Sequence, residues 1–304
     1  MKRFELGIAV AVVVECAIFA VLSPQFLSGA NAINVTLQTS ITAILAIGMT
    51  LVILTGGIDL SVGSLVALTG IMAAYSVKSA GPAAALGAGL LAGAVSGLFT
   101  GLFVTRFSIP PFIVTLALMS GLRGAAFLMT GGYSVGDLPA SFAWLGRGYV
   151  LGLPVPVLLT ALLYAVFGVM LSRTVFGRHI YAVGGNERAT FLAGVKTARV
   201  KIAVYALNGL LGGFAGVMLA SRLGAGIPNA GLGYELDVIA AVVVGGASLF
   251  GGQGSLAGTL LGAIFIGVLN NGLNLANVDP YMQKIVLGGV ILGAVLLDRK
   301  LSKA

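Results

Sequence analysis

Charged residues are scarce in this chain of 304 residues. Lysine, arginine, aspartate and glutamate together make up 9% of it, against about 25% in an average soluble domain, while hydrophobic residues make up 58%. A soluble fold of this size could not bury so much apolar surface, and a disordered chain needs low hydrophobicity and high charge. With both classes excluded, the composition predicts an all-α polytopic membrane protein.

Residues for catalysis and metal binding are also few. The chain has one cysteine, Cys16, and one histidine, His179, so it can form neither an intrachain disulfide nor a cluster of His and Cys metal ligands. The sequence G-x-x-x-x-G-K-[ST], whose backbone holds the phosphates of ATP, does not occur. We therefore predict that the chain is not an enzyme and that it binds no cofactor and no metal itself.

Long stretches without charge locate the membrane spans. Uncharged runs cover residues 16–58, 79–105, 148–172, 202–221 and 238–278, and a helix needs about 20 apolar residues to cross the hydrocarbon core. Splitting the longer runs at glycine, proline and polar clusters predicts about ten transmembrane helices in a single domain, residues 1–304. They are expected near residues 6–22, 39–55, 60–77, 82–105, 112–130, 154–172, 202–221, 236–250, 256–274 and 281–297.

The distribution of basic residues indicates how the bundle is oriented. With ten spans and a cytoplasmic amino terminus, twelve of the seventeen lysines and arginines fall on the cytoplasmic side and four fall outside, as the positive-inside rule expects. Both termini are therefore predicted to be cytoplasmic. The net charge of +8 then reflects topology, and nucleic acid is not an expected partner because no basic cluster is interleaved with aromatic residues.

The connection between the second and third predicted spans carries a distinctive sequence. Residues 54–63 read LTGGIDLSVG. Gly56 and Gly57 break the helix, and Asp59 can cap the next helix, which starts near Ser61 and Gly63. Two interpretations stay open, a tight cytoplasmic turn with a capping aspartate, or a gate or partner contact.

A second glycine turn resembles the first. Residues 249–258 read LFGGQGSLAG and align with residues 54–63 without gaps at an offset of 195. Many transporters contain internal repeats and carry substrate along the interface between them. Four or five identities can also arise by chance in a chain with 46 glycines, so the alignment alone does not establish a duplication.

The longest polar stretch, residues 173–201, is a predicted cytoplasmic loop that contains a short helix. Asn186 is a favourable N-cap, and Ala189, Leu192 and Ala193 share one helical face that ends at Gly194. Such a face outside the membrane has to be covered, either by the bilayer surface or by a cytoplasmic partner. We favour a docked partner.

Several sequence strings together resemble the permease subunit of ribose-type ABC sugar importers. The resemblance runs in order from about residue 22 to residue 300, so it covers nearly the whole chain. Its strings are GMTLVILTGGIDLSVGS at 48–64, PFIVTL at 111–116, LRG at 122–124, GGNE at 184–187, GYELD at 233–237 and NNGLN at 270–274.

The resemblance implies a type II-like ABC importer permease architecture with broken helices in the bacterial inner membrane. It implies pairing with a second permease copy or homologue and delivery of a monosaccharide by a periplasmic binding protein. A cytoplasmic ATP-binding subunit, often with two fused nucleotide-binding halves, would bind ATP and magnesium. That subunit would grip a coupling helix mapped onto residues 184–195, although Arg188 stands where a small residue is usual. The expected coupling residues are Gly184, Gly185, Asn186, Glu187, Ala189, Leu192 and Gly194.

A sugar path needs scattered polar groups, because each sugar hydroxyl is costly to strip of water unless it is hydrogen-bonded again. Hydrogen bonding between helices is the alternative role for every such side chain. Two charges also fall within predicted spans, Glu15 and Arg123, and Arg123 is expected to pair inside the bundle, with Glu15 as one candidate partner. The path candidates are Thr115, Asn208, Asn270, Asn271 and Asn274.

Two other functions fit a helical bundle. A self-powered secondary transporter or channel would need an ion site or an ionisable relay at mid-membrane, for which the chain offers only Glu15 and Arg123, and the predicted docking loop would then have no purpose. A structural scaffold would not explain the order of the motifs. We therefore predict an importer permease whose ATPase is a separate subunit.

Overall fold

The computed structural model describes residues 2–301, and the side chains of residues 5–296. This part of the chain forms twelve α-helices and one hairpin of two short strands. They are α1 (Lys2–Leu22), α2 (Gly29–Leu54), α3 (Val62–Arg106), α4 (Pro111–Thr130), α5 (Ala140–Arg147), β1 (Tyr149–Val150), β2 (Leu153–Pro154), α6 (Val155–Arg173), α7 (Val175–Gly185), α8 (Glu187–Leu192), α9 (Thr197–Leu223), α10 (Tyr234–Val244), α11 (Leu256–Leu275) and α12 (Pro280–Leu301).

The all-α polytopic prediction is confirmed, with a different division of helices. Within the described residues, seven helices are long and apolar enough to cross a membrane, namely α1, α2, α3, α4, α6, α9 and α11, and a shorter apolar stretch, Pro280–Leu296, lies in α12. The prediction of about ten spans differs from this number for three reasons: α3 contains two predicted spans, α10 is too short, and the apolar stretch of α12 is also shorter than the seven spans.

The helix α3 contains two of the predicted spans, 60–77 and 82–105. Its 45 residues would measure about 68 Å if straight, more than twice the hydrocarbon thickness. The helix breaks at Gly81, which has φ 84° and precedes Pro82, a residue without a backbone N–H. Gly70 before the break and Gly89 after it both lie against the same part of α9, near Gly216 and Val217. The two halves of α3 therefore run in opposite directions along α9.

The predicted helical span at 236–250 is wrong, because α10 ends at Val244 and has only 11 residues. That length covers about 16 Å, roughly half of the hydrocarbon core. The chain before α10 is not helical, and Arg123 donates from Nη1 to the carbonyl oxygens of Pro228 at 2.7 Å and Ala230 at 2.9 Å. Irregular backbone is tolerated at membrane depth where protein groups satisfy it in this way.

These bonds also correct the proposed partner of Arg123. The arginine does pair inside the bundle, but with backbone carbonyls instead of Glu15. Glu15 lies on α1 and is 7% exposed, and neither of its carboxylate oxygens has a hydrogen-bond partner among the described residues.

The centre of the bundle is α2. In its most apolar stretch 89% is buried, against 17% in α1 and α4 and 22% in α6. α1, α4 and α6 therefore lie at the periphery of the bundle. α2 begins at Gly29, ten residues before the predicted boundary at 39, because Ser28 caps it by accepting from the Asn31 backbone N–H at 3.2 Å. The orientation prediction uses Lys2, Arg3, Arg299, Lys300 and Lys303, which lie outside the described side chains.

Close helix packing explains part of the glycine excess. An added Cβ at Gly93 or Gly97 of α3 would collide with carbonyl oxygens of α9, those of Gly209 and Tyr205 respectively. Small residues of this kind let membrane helices approach with their backbones in contact. Gly87, which has nothing within 4 Å of an added Cβ, does not take part in this packing.

Candidate functional site

The two similar glycine turns meet each other and the end of α7. The backbone N–H of Gly252, in the second turn, donates to the carbonyl oxygen of Leu54, at the end of α2, at 3.0 Å. An added Cβ at Gly184 of α7 would collide with that same Leu54 oxygen and lie 2.5 Å from the Gly252 nitrogen. An added Cβ at Gly251 would lie 3.0 Å from both the Gly184 oxygen and the Gly56 nitrogen. We call Leu54, Gly56, Gly184, Gly251 and Gly252 the glycine junction.

Glycine is required in the junction for two different reasons. Gly56, Gly251 and Gly252 have φ values of 77°, 88° and 73°, in the left-handed region that side chains disfavour. Gly184 has a helical backbone, so glycine is required there only because a side chain would not fit. The sequence similarity at offset 195 therefore corresponds to two turns that touch, with one helix packed against both.

A side chain of α7 adds a second link to the same turn. The hydroxyl of Tyr181 donates to the carbonyl oxygen of Gly254 at 2.9 Å. Burial raises the pKa of Tyr181 above its ordinary value, which keeps this donor protonated. α7 is thereby attached to the second glycine turn by a hydrogen bond as well as by packing.

The short helix predicted in the cytoplasmic loop is present as α8. Asn186 is its N-cap and accepts from the Ala189 N–H at 2.9 Å, and Gly194 follows the helix with φ 87°. The hydroxyl of Thr190 donates to the Ala182 carbonyl at 2.8 Å and fixes α8 against α7. The sequence-based prediction of this helix is confirmed within a residue or two at each end.

The helix α7 itself was missed. Its signals were present in the sequence: Thr174 is an N-cap that accepts from the Gly177 N–H at 3.1 Å, and Ile180 and Val183 are buried at helical spacing. The helix ends in two glycines, of which Gly184 permits close contact and stays helical.

One face of α8 is uncovered. Phe191 is 64% exposed and Leu192 77% exposed, and Gly185, Ala189 and Ala193 are exposed too. Large apolar side chains at a helix surface outside the membrane indicate a place for a partner or for lipid. We call α7 and α8 the coupling segment.

An ion pair connects the coupling segment to α9. The ammonium group of Lys201 lies 2.8 and 2.9 Å from the two carboxylate oxygens of Glu187. Four and seven residues further along the same face of α9 come Tyr205 and Asn208. The Tyr205 hydroxyl lies against Gly57, where an added Cβ would collide with it. One face of α9 thus touches both the coupling segment and the first glycine turn.

The first glycine turn ends in a buried carboxylate. Asp59 is 3% exposed, and its Oδ1 accepts from the Ser61 N–H at 2.8 Å and from the Ser61 hydroxyl at 2.6 Å. The side-chain amide of Asn208 donates to Asp59 Oδ2 at 2.7 Å. The predicted cap at Asp59 is wrong, because Ser61 is the N-cap of α3 and this end has no side-chain capping bond; Asp59 instead binds Ser61. Gly63, beyond it, lies against Gly231 just before α10.

The path candidates lie at separate places in the bundle. Thr115 is fully buried and donates to the carbonyls of Pro111 at 3.0 Å and Ile58 at 3.4 Å. Asn208 bonds to Asp59 as described. Thr115 and Asn208 therefore form hydrogen bonds within the protein. This is the alternative role considered for them, hydrogen bonding inside the bundle instead of lining a sugar path.

The three asparagines of α11 differ from one another. Asn271 is buried and exchanges two hydrogen bonds with Asn31 of α2, both at 2.9 Å, and Asn31 was not among the path candidates. Asn270 hydrogen-bonds to the side chain of Asp237. Asn274 is exposed and accepts from the Gln283 amide at 3.0 Å. Asn270 and Asn274 stay predictions for a path, since neither is enclosed by the bundle core.

The broken helices, the buried central helix and the segment held at one end define a membrane permease subunit. The chain matches, over residues 31–295, the family described as "Branched-chain amino acid transport system / permease component". It belongs to this family of ABC transporter permeases, a class of subunit that is not itself catalytic and works with an ATP-binding subunit and a periplasmic binding protein. Such permeases are multi-pass proteins of the inner membrane.

Individual relatives match along nearly their whole length. The chain is 48% identical to the ribose import permease protein of Bacillus subtilis over 98% of this chain and 94% of the relative. It is 48% identical to the ribose import permease protein of Escherichia coli K12 over 96% and 92%. The L-arabinose transport system permease protein of Escherichia coli K12 is 40% identical over 96% and 88%. No solved structure matches the chain.

Proposed function

We propose that this chain is the permease of an importer for a monosaccharide, with ribose-like pentoses as the first class to test. The observation that carries the proposal is the 48% identity to ribose import permeases along almost both whole chains. The family description names branched-chain amino acids, but the ribose and arabinose relatives match over the more extensive range, which favours the sugar.

The proposed division of labour places energy conversion on other subunits. The sequence carries no P-loop, so ATP and magnesium would bind to the partner ATPase, which can contain two fused nucleotide-binding domains. A second permease copy or homologue would complete the membrane part. With the coupling segment on the ATPase side, both termini would be cytoplasmic, as the distribution of basic residues supports.

The coupling segment is the proposed docking site of the ATPase. The exposed Phe191 and Leu192 offer apolar area to a partner, and Asn186 and Gly194 set the two ends of α8. Movement of α8 would reach α9 through the ion pair between Glu187 and Lys201. It would reach α2 and the second glycine turn through Gly184.

The glycine junction explains how one docked subunit could act on both glycine turns. Gly184 is in contact with the end of α2 and with Gly252, so α7 cannot move toward the membrane without displacing both turns. Protein interiors are close-packed and transmit such displacements. The junction would therefore convert closure of the ATPase into a change in the path between α2, α3, α10 and α11.

The function is tested in proteoliposomes that contain the permease, its ATPase subunit and ATP, with the binding protein and labelled sugar on the opposite side. We expect D-ribose or L-arabinose to accumulate only when all three proteins and ATP are present. Uptake of L-leucine but of neither pentose would contradict the substrate class. Uptake that persists without the ATPase would favour a secondary transporter or channel.

Docking is tested separately with Leu192→Asp, which places a charge on the uncovered face of α8. We expect this variant to lose the ATPase in a pull-down from detergent, because a buried charge without a partner is costly. Lys196→Asp is the matched control, since it changes charge at an exposed position beyond the end of α8. If both variants retain the ATPase, α8 is not its docking helix.

A further inference from the structure

The hairpin between α5 and α6 has an unusual turn. Its strands pair antiparallel, Val150 opposite Leu153, and the two turn residues, Leu151 and Gly152, both have left-handed backbones with φ of 51° and 81°. Two-residue turns of this kind favour asparagine, aspartate or glycine at such positions, because a bulky side chain is disfavoured there. The geometry of the turn therefore gives no reason for a leucine at the tip.

The hairpin carries apolar side chains that the other described residues do not cover. Leu151 is 99% exposed, and Tyr149 and Leu153 are each 52% exposed. Trp144, the only tryptophan in the sequence, lies on the preceding helix α5 and is 56% exposed. No charged residue occurs from 148 to 172, so the hairpin itself has no ionic group to steer or to orient a protein partner. The exposed Arg147 just before it donates from Nε to the carbonyl oxygen of Arg222.

The length of α6 fixes the depth of the hairpin. Its 19 residues span about 28 Å, close to the thickness of the hydrocarbon core of about 30 Å. Val155 at its first turn therefore lies at the edge of the hydrocarbon, and the hairpin that immediately precedes it falls in the headgroup layer. The coupling segment follows the other end of α6, so the hairpin lies at the opposite membrane surface.

We propose that the hairpin inserts its tip into the lipid leaflet opposite the coupling segment. Tryptophan and tyrosine favour this boundary because one part of each ring is apolar and another is polar. An exposed leucine at the tip then gains contact with acyl chains. The apolar surface of the hairpin is continuous in the chain with the membrane-spanning α6, whose Leu162, Val166 and Val169 are also exposed. The inserted hairpin anchors the outer end of α6.

The insertion is measured with a fluorophore at the tip. In a Cys16→Ser background, Leu151→Cys is labelled in the assembled complex and reconstituted in vesicles of phosphatidylethanolamine and phosphatidylglycerol. The same complex with Cys16→Ser alone measures labelling of the partner subunits. We expect lipids with a spin label near the headgroup to remove most of the Leu151 signal, and aqueous iodide to remove little. Asp137→Cys, an exposed acidic position in the loop before α5, is the control and should respond to iodide instead.

A second variant separates anchoring from folding of the hairpin. Leu151→Asn suits the left-handed turn better than leucine does, so the hairpin should stay formed. We expect a label at Leu153→Cys to lose lipid quenching and gain iodide quenching when Leu151→Asn is added. Stronger quenching of the Leu151 label by iodide than by spin-labelled lipid would overturn the proposal. Protection of the label from iodide only on addition of the binding protein would assign the hairpin to that protein and equally overturn lipid insertion.

Discussion

The glycine junction makes Gly184 the position where a single methyl group should have the largest effect on coupling. In Gly184→Ala, the new Cβ would collide with the Leu54 carbonyl oxygen and press on the Gly252 nitrogen. Both neighbours are backbone atoms, which cannot rotate away as a side chain can. α7 would have to withdraw on the order of 1–2 Å to restore normal contact distances, and this would separate it from both glycine turns.

The next residue supplies a matched control. Gly185 is exposed and has nothing within 4 Å of an added Cβ. Replacing a helical glycine by alanine gains up to about 1 kcal/mol of helix propensity, and this gain applies to both variants. The difference between them isolates the steric effect, which overpacking data place at about 1–3 kcal/mol. That corresponds to roughly a 5- to 150-fold change in an equilibrium constant.

The two variants are compared in the complete importer by three measurements: retention of the ATPase, ATP hydrolysis and sugar uptake. We expect Gly184→Ala to retain the ATPase, because α8 is unchanged, but to lose most uptake per ATP hydrolysed. Its thermal inactivation should also begin at a lower temperature than that of Gly185→Ala. If the two variants have equal uptake and equal thermal stability, the junction does not transmit the movement of α7.

Two further predictions concern pairs of side chains. Glu187→Lys should lower uptake per ATP hydrolysed, and adding Lys201→Glu should restore part of the uptake. The ion pair is expected to contribute about 1 kcal/mol or less, because it is partly exposed. If the second substitution restores no uptake, the ion pair does not link α8 to α9. Asn31→Ala should lower stability by about 1–3 kcal/mol, because it leaves the buried Asn271 amide unpaired. Replacing both asparagines by leucine should lower the temperature of thermal inactivation less than Asn31→Ala does. An equal or larger decrease would contradict this reasoning.

The sequence was sufficient for the class of fold because hydrophobic length is a local property. Runs without charge identified the spans that α6 and α11 form, within a few residues at each end. The break inside α3 and the half-length α10 are different, because both depend on what surrounds the backbone. In the non-helical chain before α10, Arg123 satisfies two carbonyls, and that contact joins residues more than 100 positions apart.

In the candidate site, too, some features depend on local sequence and others depend on contacts between distant residues. The cap at Asn186 and the end at Gly194 are local, and α8 was predicted from them. The similarity of the two glycine turns was also visible, but their contact through Gly252 and Leu54 was not, because it joins segments about 195 residues apart. The pairing of Asn31 with Asn271 is equally non-local. A polar residue in a membrane helix indicates a need for a partner, but its identity follows only from the packing.

The contacts in the glycine junction also show how the two glycine turns are oriented in the bundle. α2 leads into the first turn and α10 into the second, and each turn leads into a helix of the bundle, α3 or α11. Because Gly252 bonds directly to Leu54, both turns lie at the same end of the bundle, the end that α7 covers. If the ATPase docks as proposed, one docked subunit would therefore displace both helix pairs in the same sense. If the turns lay at opposite ends, as in an inverted repeat, a single coupling segment could reach only one of them. The parallel arrangement of the turns would allow the proposed coupling segment, residues 175–192, to act on both turns.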